Sequence, residues 1–541
     1  MVKRKEQKEH TYWTDKVAQD VVEREKKLKR KIKVFRTESG VGASGFPHVG
    51  SLGDITRAYV VAIALKDIGV KSEFIAYSDD RDGLRKVPLT LPDSLEKYIG
   101  VPVSATPDPF KCHNSYGEHM RSLMVDAIEK VGIEYTLQSA TKNYESGVLD
   151  DAIETILMNA EKVGLIAKRL TGQEKFIETL PYFPVCENCG KMYTTRSYEL
   201  VKKKHKVLYV CDQEFKGKNL NNGKELVIKG CDHKGEASYF KGEGKLSWKP
   251  EFAARWKSLK ILFEPFGKDI RDSVMVNDAI CKEVLDFEPP LHKMYEMFLD
   301  KSGKKISKSY GNVFTPQVWL KYGNPQSLTL LRLKRFEGTR ELYVTDIPKY
   351  MDELNTLDKI YFGLENVTDK KELHNLRRLY EYSHFLKLPS KSSLHINYDS
   401  WVELAKILPE ENELEFIVNK LKEWKKLNNI TNKSKKIIGE RIGFAKNWYE
   451  DFVKVSGIEP ALNEEHKFVI HELLNAIKEE ADGERLQARI FDLVNKHKLD
   501  MKEFFKTVYQ ILLNADKGPR LGPYIIERGK EEVIAKIKAA L

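Results

Sequence analysis

Residues 32–50 read IKVFRTESGVGASGFPHVG, and this stretch decides the fold expected for the first part of the chain. Its apolar beginning predicts a buried strand over 32–37, its Gly- and Ser-rich continuation predicts a loop over 38–47, and a helix is predicted from about residue 50. A second strand is predicted in SEFIAYSDD, at 72–80. Strand, loop, helix and strand in this order are typical of a doubly wound α/β sheet, whose ligands bind at the carboxyl ends of the strands.

The loop within this stretch has a composition suited to phosphate binding. Glycines at 40, 42 and 45 permit close backbone approach and match the G-x-G-x-x-G pattern of dinucleotide folds. A dinucleotide fold does not need the PHVG that follows, however, whereas an imidazole at a helix N-terminus suits a phosphate. Taken alone, this stretch is more often that of a structural histidine, and a phosphate contact by His48 is the alternative. The candidate nucleotide contacts of this stretch are Pro47, His48, Gly50 and Ser51.

A second polar loop, GKKISKSYGN at 303–312, places lysines and serines between two glycines. Its composition alone is also that of a solvated turn. Beside a triphosphate, however, Lys305 and Lys308 would neutralise charge on the phosphates, and Ser307 and Ser309 would donate hydrogen bonds. The flanking glycines would let such a loop close over the ligand. This stretch alone does not decide between a solvated turn and a loop in which Lys305, Ser307, Lys308 and Ser309 contact a polyanion.

The composition is that of an ordinary globular protein. At 541 residues the chain is expected to form about three to four domains. Its net charge of +11 is compatible with nucleic-acid binding and equally with a solvated basic surface. The beginning MVKRKEQKEHTYW lacks the apolar region of a signal peptide, and the apolar run at 59–65 is far shorter than the ~20 residues of a membrane span. We expect a cytoplasmic protein without a membrane segment.

Four of the six cysteines lie between residues 186 and 231, which is the spacing of a metal site rather than of a disulfide framework. A C-x-x-C turn lets two thiolates reach one ion, and two further ligands complete a closed tetrahedral site. Four cysteines and a mixed set with a histidine both remain open, as do reduced thiols without metal. Cys112 and Cys281 are isolated in sequence, and we predict no role for them. The five candidate ligands are Cys186, Cys189, Cys211, Cys231 and His233.

PHVG and KISKS, about 255 residues apart, resemble the paired HIGH and KMSKS signatures of class I aminoacyl-tRNA synthetases. Three further stretches and the cysteine cluster resemble the class I lysyl-tRNA synthetases in particular, and the resemblance extends over nearly the whole chain, from about residue 13 to 525. These stretches are YSDDRDGLRKVP (77–88), WKPEFAARW (248–256) and FEPFGKDI (263–270).

The resemblance implies a fold and a reaction. The implied fold is a Rossmann-type doubly wound catalytic domain with a zinc-binding insertion, followed by an all-α anticodon-binding domain. The implied substrates are ATP with Mg²⁺, L-lysine and lysine tRNA, with AMP and pyrophosphate released and lysine activation requiring bound tRNA. The implied catalytic residues are His48, Lys305 and Lys308. The implied ATP contacts are these three residues with Pro47, Gly50, Ser51, Ser307 and Ser309. The family commonly has Asn where this chain has Ser51, and His where it has Ile270. The substrate contacts implied by resemblance are Gly40, Asp80, Trp248, Asp269, Ile270 and Tyr295, with Asp79, Asp82 and Glu264 as further candidate carboxylates.

The expected domain organisation follows the same resemblance. Arg332, Lys334 and Arg335 are expected to face the tRNA acceptor arm, and the basic runs 420–426 and 433–436 are expected to be either a phosphate track or solvated helix faces. Apolar residues at helical spacing, such as those of 470–477 and 486–494, predict a helical C-terminal region. The predicted segments are an N-terminal helix (1–30), the first catalytic half (31–110), a connective insertion (111–250) with its zinc-binding part (180–240), the second catalytic half (251–315), a stem-contact region (316–365) and the anticodon-binding domain (366–541).

Other functions fit parts of the same pattern. A glutamyl- or cysteinyl-type class I synthetase shares both signatures. A small-molecule nucleotidyltransferase shares them too, although it needs neither a large helical domain nor a cysteine cluster. A catalytically inactive tRNA-binding protein is a third alternative, against which the complete signatures argue. The oligomeric state is not predicted.

Overall fold

The computed structural model describes residues 12–296, 298–299, 314–334, 340–409, 411–427, 430–454, 462, 464–513 and 516–541. The chain forms two compact units. The first comprises Met1–Trp319, Leu328–Val344 and Val367–Leu388, and the second comprises Leu320–Ser327, Thr345–Asn366 and Pro389–Leu541. Two helices, Pro316–Tyr322 and Pro325–Leu333, contain boundaries between these segments.

The first unit is built on a five-stranded sheet in which every neighbouring pair is parallel. Its strands are β1 (Phe35–Val41), β2 (Ser72–Ser78), β3 (Thr136–Ser139), β4 (Ile261–Gly267) and β5 (Leu291–Tyr295), in the spatial order β5-β4-β1-β2-β3. The predicted doubly wound α/β class is thereby confirmed. Because all five strands run the same way, their carboxyl ends share one edge of the sheet.

The first strand begins and ends later than predicted. Pairing starts where Phe35 faces Ser72, the first residue of β2, and continues until Val41 faces Ser78. Residues 32–34 therefore precede the ladder, and Gly40 lies inside the strand opposite Tyr77 rather than in the loop. The shift brings the glycine-rich turn directly to the carboxyl edge of the sheet.

Four helices position the site, namely α1 (Trp13–Lys27), α2 (Val49–Asp67), α3 (Tyr116–Val131) and α4 (Trp248–Leu259). The side chains of α2 are almost all buried, as its apolar sequence VVAIAL requires. Ser115 caps α3 at its start by accepting from the Glu118 N–H, and Gly132, with a φ of 89°, ends it. The other helices of this unit are Ala140–Glu145, Asp150–Met158, Ala160–Thr171, Arg271–Glu283 and Lys370–Ser383.

Small sheets lie mostly in residues 182–246, between the helix Ala160–Thr171 and α4. One is a three-stranded antiparallel sheet of Arg196–Val201, Lys206–Val210 and Lys234–Ser238. A second pairs Tyr182–Pro184 with Gly244–Leu246, and a third joins Glu214–Asn219 to Lys86–Val87 and Glu225–Lys229. Elsewhere in the unit, Phe298–Leu299 pairs with Arg340–Glu341.

The described part of the second unit is largely helical, as predicted. The stripe Ile470, Leu473, Leu474 and Ile477 is buried in one apolar core together with residues of the helices that follow it. The helices of this unit are Ile347–Tyr361, Tyr398–Lys406, Glu413–Glu423, Asn432–Trp448, the π-helical turn Tyr449–Val453, Glu464–Glu479, Gly483–Lys496, Met501–Leu513, Leu521–Arg528 and Lys530–Ala540. Among the described residues of the whole chain, no helix combines the length and apolarity that crossing a bilayer requires.

Candidate active site and metal centre

A cleft of ≈ 420 Å³ opens at the carboxyl edge of the parallel sheet. Its walls come from the ends of β1, β2, β4 and β5, from the turn after β1 and from the start of α2. This is where an open α/β sheet binds its ligands, because the loops there diverge and leave a crevice. The cleft lies wholly within the first unit.

His48 occupies the N-cap position of α2 at one wall of the cleft. Its Nδ1 accepts the backbone N–H of Ser51 at 3.1 Å, and its Nε2 lies 3.3 Å from Ser51 Oγ. Since Nδ1 is an acceptor, the neutral ring carries its proton on Nε2 and can donate from that atom. A Cβ at Gly50 would lie 2.7 Å from ring atoms of His48, so the glycine makes room for this imidazole. The local arrangement offers backbone and imidazole donors to an anion.

The floor of the cleft is a buried cluster of charges around Arg255 of α4. Its guanidinium forms ion pairs with Glu38 at 2.5 Å, Glu264 at 3.2 Å and Asp79 at 3.4 Å. The guanidinium also lies over the ring of Tyr77, 4.4 Å from its centroid. One cation thus faces three carboxyl groups, two from the middle of β1 and β4 and one directly after β2.

A second buried cation adjoins the first cluster. Lys245 forms ion pairs with Asp82 and, at 2.7 Å, with Glu251. Tyr144 donates its hydroxyl hydrogen to Glu251 at 3.0 Å. In these two clusters five carboxyl groups therefore face two cations, so that carboxyl groups outnumber cations below the cleft.

The same surplus is visible in the described lining. Three basic side chains, Arg85, Lys86 and Arg255, reach the cleft. The six carboxylates of the lining are Asp54, Asp79, Asp82, Glu264, Asp269 and Glu296. Within the described residues, the cleft is therefore suited to a positively charged ligand.

Burial acts on the protonation of these carboxyl groups. Loss of solvent raises the pKa of Asp79 to about 7, against the opposing effect of Arg255. The pKa of Glu38 is also raised by burial, again opposed by Arg255, and further raised by Glu264. A nearby added cation would favour the ionised carboxylates.

Most residues predicted from sequence lie together at this cleft. Asp80 does not line it, because its carboxylate accepts hydrogen bonds from Arg121 at 3.0 Å, Ser139 Oγ at 2.7 Å and the Thr141 N–H at 2.8 Å. Pro47 also lies outside the lining. One face of Tyr295 is covered by the Arg57 guanidinium, 4.3 Å from the ring centroid. The predicted residues found in the lining are Gly40, His48, Gly50, Ser51, Trp248, Asp269, Ile270 and Tyr295.

The predicted phosphate-loop residues and the predicted tRNA contact Arg332 have different outcomes. Lys305, Ser307, Lys308 and Ser309 lie outside the described residues, so their predicted proximity to His48 stays a prediction. The expectation that Arg332 faces tRNA is wrong, because its side chain is fully buried and donates to the Val49 carbonyl at the start of α2.

The buried cations were not predictable from a motif. Arg255 lies in the WKPEFAARW stretch but 217 positions from Glu38, and no local pattern connects the two. The available signal is chemical. Glu38 is a charged residue in an otherwise buried strand, and such a residue requires a partner.

The predicted metal cluster forms from four cysteines. Sγ of Cys186 lies 3.6 Å from Sγ of Cys231, Sγ of Cys189 lies 3.8 Å from Sγ of Cys211, and all four lie within 4.8 Å of one another. Zn–S bonds of about 2.3 Å give a tetrahedron with edges of about 3.8 Å, which these distances match. The four thiols therefore fit a zinc ion.

His233, the fifth candidate ligand, is directed elsewhere. Its Nε2 lies 2.6 Å from Oε1 of Glu187, and it does not belong to the described cysteine cluster. Its backbone carbonyl instead accepts the Cys211 N–H at 2.8 Å, which supports the turn carrying a neighbouring thiol. Of the two sets left open by sequence, the structure favours the four cysteines.

A parallel α/β sheet, an imidazole at the start of the helix after its first strand, and a cleft at its carboxyl edge are the features of the catalytic domain of class I aminoacyl-tRNA synthetases. Residues 11–386 match the family described as "tRNA synthetases class I (K)". The lysine–tRNA ligase of Cenarchaeum symbiosum (strain A) is 43% identical over 529 residues, covering 98% of each chain. That of Rickettsia bellii (strain OSU 85-389) is 30% identical over 512 residues, covering 93% of each. The chain belongs to the class I lysyl-tRNA synthetase family.

Proposed function

We propose that the protein is a lysine–tRNA ligase that activates L-lysine with ATP and transfers it to the 3′ end of lysine tRNA. The first step forms lysyl adenylate and releases pyrophosphate, and the second releases AMP. The observation that carries this proposal is the surplus of carboxylates at a cleft that also presents the N-terminus of α2 and His48. Negative charge suits the ammonium groups of lysine, and the helix terminus suits the phosphates of ATP.

In the activation step the lysine carboxylate attacks the α-phosphorus of ATP. A bond forms to the carboxylate oxygen, and the bond to the β-phosphate oxygen breaks, so that pyrophosphate leaves. The work of the protein is to position these groups and to stabilise charge on the phosphates. We assign His48 Nε2, with the backbone N–H of Gly50 and the hydroxyl of Ser51, to the phosphate oxygens, and Lys305 and Lys308 to the pyrophosphate from the opposite side. Magnesium accompanies the ATP as part of the substrate.

Selection of the amino acid follows from charge. Lysine carries a side-chain ammonium group in addition to its α-ammonium group. Asp79 and Glu264 both pair with the single guanidinium of Arg255, so they can also accept this second ammonium group. Trp248 adds an aromatic wall, whose contact with an ammonium contributes about 0.5–2 kcal/mol. Glutamate would instead add a carboxylate to a site already rich in them. This argues against the glutamyl-type alternative.

We further propose a structural zinc at Cys186, Cys189, Cys211 and Cys231. Bound there, zinc would hold together three chain segments, and a set of four protein ligands leaves no position for a substrate. We also propose that the second unit binds the anticodon region of the tRNA in the cytoplasm. Its exposed Trp424, with exposed lysines at 422, 425 and 426, supports a surface for bases and phosphates.

The test is pyrophosphate exchange into ATP with purified full-length protein, with and without lysine tRNA. We expect exchange with lysine and at least about 100-fold weaker exchange with glutamate or cysteine, since charge discrimination in a partly buried site is worth several kcal/mol. Arginine and ornithine test whether side-chain length is also read. Preferential exchange with glutamate would refute the proposal.

The lysine loop has a matched control within its own sequence. Lys308→Ala should reduce exchange about 100-fold or more, as the loss of a phosphate-stabilising cation usually does, while tRNA binding is retained. Lys304→Ala removes an equal charge from the same loop but outside the KISKS signature and should have little effect. Equal losses of exchange activity in both variants would show that the loop acts only through its overall positive charge and not through Lys308 in particular.

A further inference from the structure

Val49, the first residue of α2, uses both of its backbone hydrogen-bonding groups to contact a distant part of the chain. Its N–H, which has no acceptor within a helix, donates to the Phe314 carbonyl at 2.8 Å. Its carbonyl accepts a hydrogen bond from Nη2 of Arg332. On the basis of the proposed function, in which His48 contacts the phosphates of ATP, we propose that Arg332 is a positioning residue for amino-acid activation. By binding Val49 it fixes the first turn of α2 and thereby the imidazole of His48.

The Arg332 side chain reaches Val49 along the surface of α2. It is fully buried, and it belongs to the same compact unit as α2. A Cβ at Gly53, one turn after Val49, would lie 3.4 Å from Cδ and 3.6 Å from Nη1 of Arg332. The lack of a side chain at residue 53 therefore lets the arginine lie close to the helix while Nη2 reaches the carbonyl one turn earlier.

The chemistry of this contact favours a defined geometry. Burial of a guanidinium costs free energy unless its hydrogen bonds are satisfied, so the side chain is held by its acceptors. A carbonyl oxygen in a helix has a second lone pair beyond the one used by the intrahelical bond, and it can accept from Arg332 as well. A hydrogen bond from a charged donor is roughly twice as strong as a neutral one. The start of α2 is thus held by a charge-assisted bond in addition to apolar packing.

The second contact of Val49 has support of its own. The buried ring of Phe314 stacks on the fully buried Trp319, with the ring centroids 5.9 Å apart and the ring planes at 18°. Along the chain, Phe314 follows Ser309, the last residue of the KISKS signature, by five positions. The helix that begins beside His48 is therefore bonded to the segment that follows the second signature.

Loss of the Arg332 contact should affect one side of the cleft. Nδ1 of His48 accepts the Ser51 N–H, so the ring moves with the first turn of α2. The proposed lysine contacts Asp79 and Glu264 lie at the end of β2 and in β4 instead. A displaced start of α2 should therefore impair the use of ATP and leave lysine binding almost unchanged. A general loss of stability has no such preference, because it lowers the amount of folded enzyme for both substrates alike.

The test is pyrophosphate exchange by full-length protein with lysine tRNA present, in which ATP and lysine are varied separately. Arg332→Met keeps most of the apolar stem and removes the donor. We expect kcat/KM for ATP to fall about 100-fold, as for a misplacement approaching 1 Å, and KM for lysine to change by less than about twofold. Arg332→Lys replaces the rigid fork with a flexible charged donor and should lose about tenfold. It covers the case in which Arg332→Met does not fold.

Arg378→Met is the matched control, because Arg378 binds the opposite end of the same helix. Its Nη2 lies 3.4 Å from Oδ2 of Asp67, the last residue of α2, and 2.6 Å from Oδ1 of Asp15 in α1. Loss of these ion pairs should lower the melting temperature but leave exchange per folded molecule within about twofold of the wild type. A selective loss of ATP use as large as that of Arg332→Met would contradict a specific role for Arg332.

A double-mutant cycle with His48→Asn shows whether Arg332 acts through the imidazole. Asparagine can still cap α2, and in this background Arg332→Met should cost less than about fivefold. The proposal would be overturned by an equal cost in both backgrounds, or by exchange within about twofold of the wild type in both Arg332 variants. Exchange by the wild type with an amino acid other than lysine would refute the proposed function alone, because the effect of Arg332 is measured on ATP and can be repeated with that amino acid.

Discussion

Replacement of Gly50 by alanine tests the placement of His48 without removing a functional group. The added Cβ would lie 2.7 Å from both Cε1 and Nδ1 of His48, and ordinary van der Waals contact begins at 3.4 Å. The ring must therefore move by about 0.7 Å or rotate, because most side chains of α2 are buried and hold its backbone in place. Either movement disturbs the 3.1 Å hydrogen bond from the Ser51 N–H to Nδ1.

The expected loss is large for activity and absent for stability. A misplacement approaching 1 Å costs about 100-fold in rate, or about 2.7 kcal/mol of transition-state stabilisation. Alanine in the first turn of a helix is favoured over glycine by about 0.5–1 kcal/mol, which offsets part of the steric strain. We therefore expect kcat/KM for lysine-dependent pyrophosphate exchange to fall about 100-fold while the melting temperature changes by no more than a few degrees.

Gly443→Ala is the matched control, since its Cβ would meet no atom within 4 Å in the helix Asn432–Trp448. It should leave exchange unchanged. If Gly50→Ala exchanged pyrophosphate within twofold of the wild type, His48 would not be held for phosphate binding in the way described. A large fall in melting temperature would instead show that the strain was relieved by unfolding the start of α2.

Four further predictions concern the buried charges, the helical unit and the cysteine cluster. Burial raises the pKa of Asp79 to about 7, so lysine binding should release a proton from its carboxyl group. The KM for lysine should therefore rise as the pH falls below about 7, by up to about tenfold per pH unit. The variant Asp79→Asn should remove this pH dependence. Arg255→Met leaves three carboxylates without their shared cation and should lower the free energy of unfolding in urea by about 3–5 kcal/mol, whereas a loss below about 1 kcal/mol would contradict the network. Gly443→Ala should raise the free energy of unfolding by about 0.5–1 kcal/mol. Cys189→Ser should lose zinc and lower the melting temperature, and an unchanged melting temperature would argue against a structural ion.

Local patterns predict the elements of this chain well, because strands, loops and caps are encoded within a few residues. The unit of β1, its turn and α2 is an example, although the strand begins and ends later than its sequence predicts. Register is set by the partner strand, whose first residue, Ser72, determines where pairing with Phe35 begins. Sequence alone does not fix that alignment.

The same limit explains the carboxylate assignments. Asp79 and Asp80 follow the same strand and are chemically identical, yet successive residues at a strand end point to different sides. Asp79 reaches the cleft, and Asp80 is held by Arg121 and Ser139 away from it. A different limit applies to side chains that are close in sequence but whose contacts depend on how a loop folds. Only the folded structure shows that polar atoms of Asp108, Cys112, His113 and His119 lie within 4.8 Å of one another.

The buried charges also explain how the cleft can be acidic and still fold. Carboxylates removed from water favour the neutral form, so an acidic pocket without counter-ions would be protonated and would not attract a cation. Arg255 and Lys245 each contact more than one carboxylate and keep part of the set ionised. The carboxyl group of Asp79, with a pKa of about 7, is close to half ionised at neutral pH. An arriving ammonium can then replace a proton rather than neutralise a fully charged site, so the free cleft avoids much of the repulsion that five ionised carboxylates would create. Under the proposed function, selectivity for a cationic amino acid and stability of the empty site thus depend on the same two buried cations.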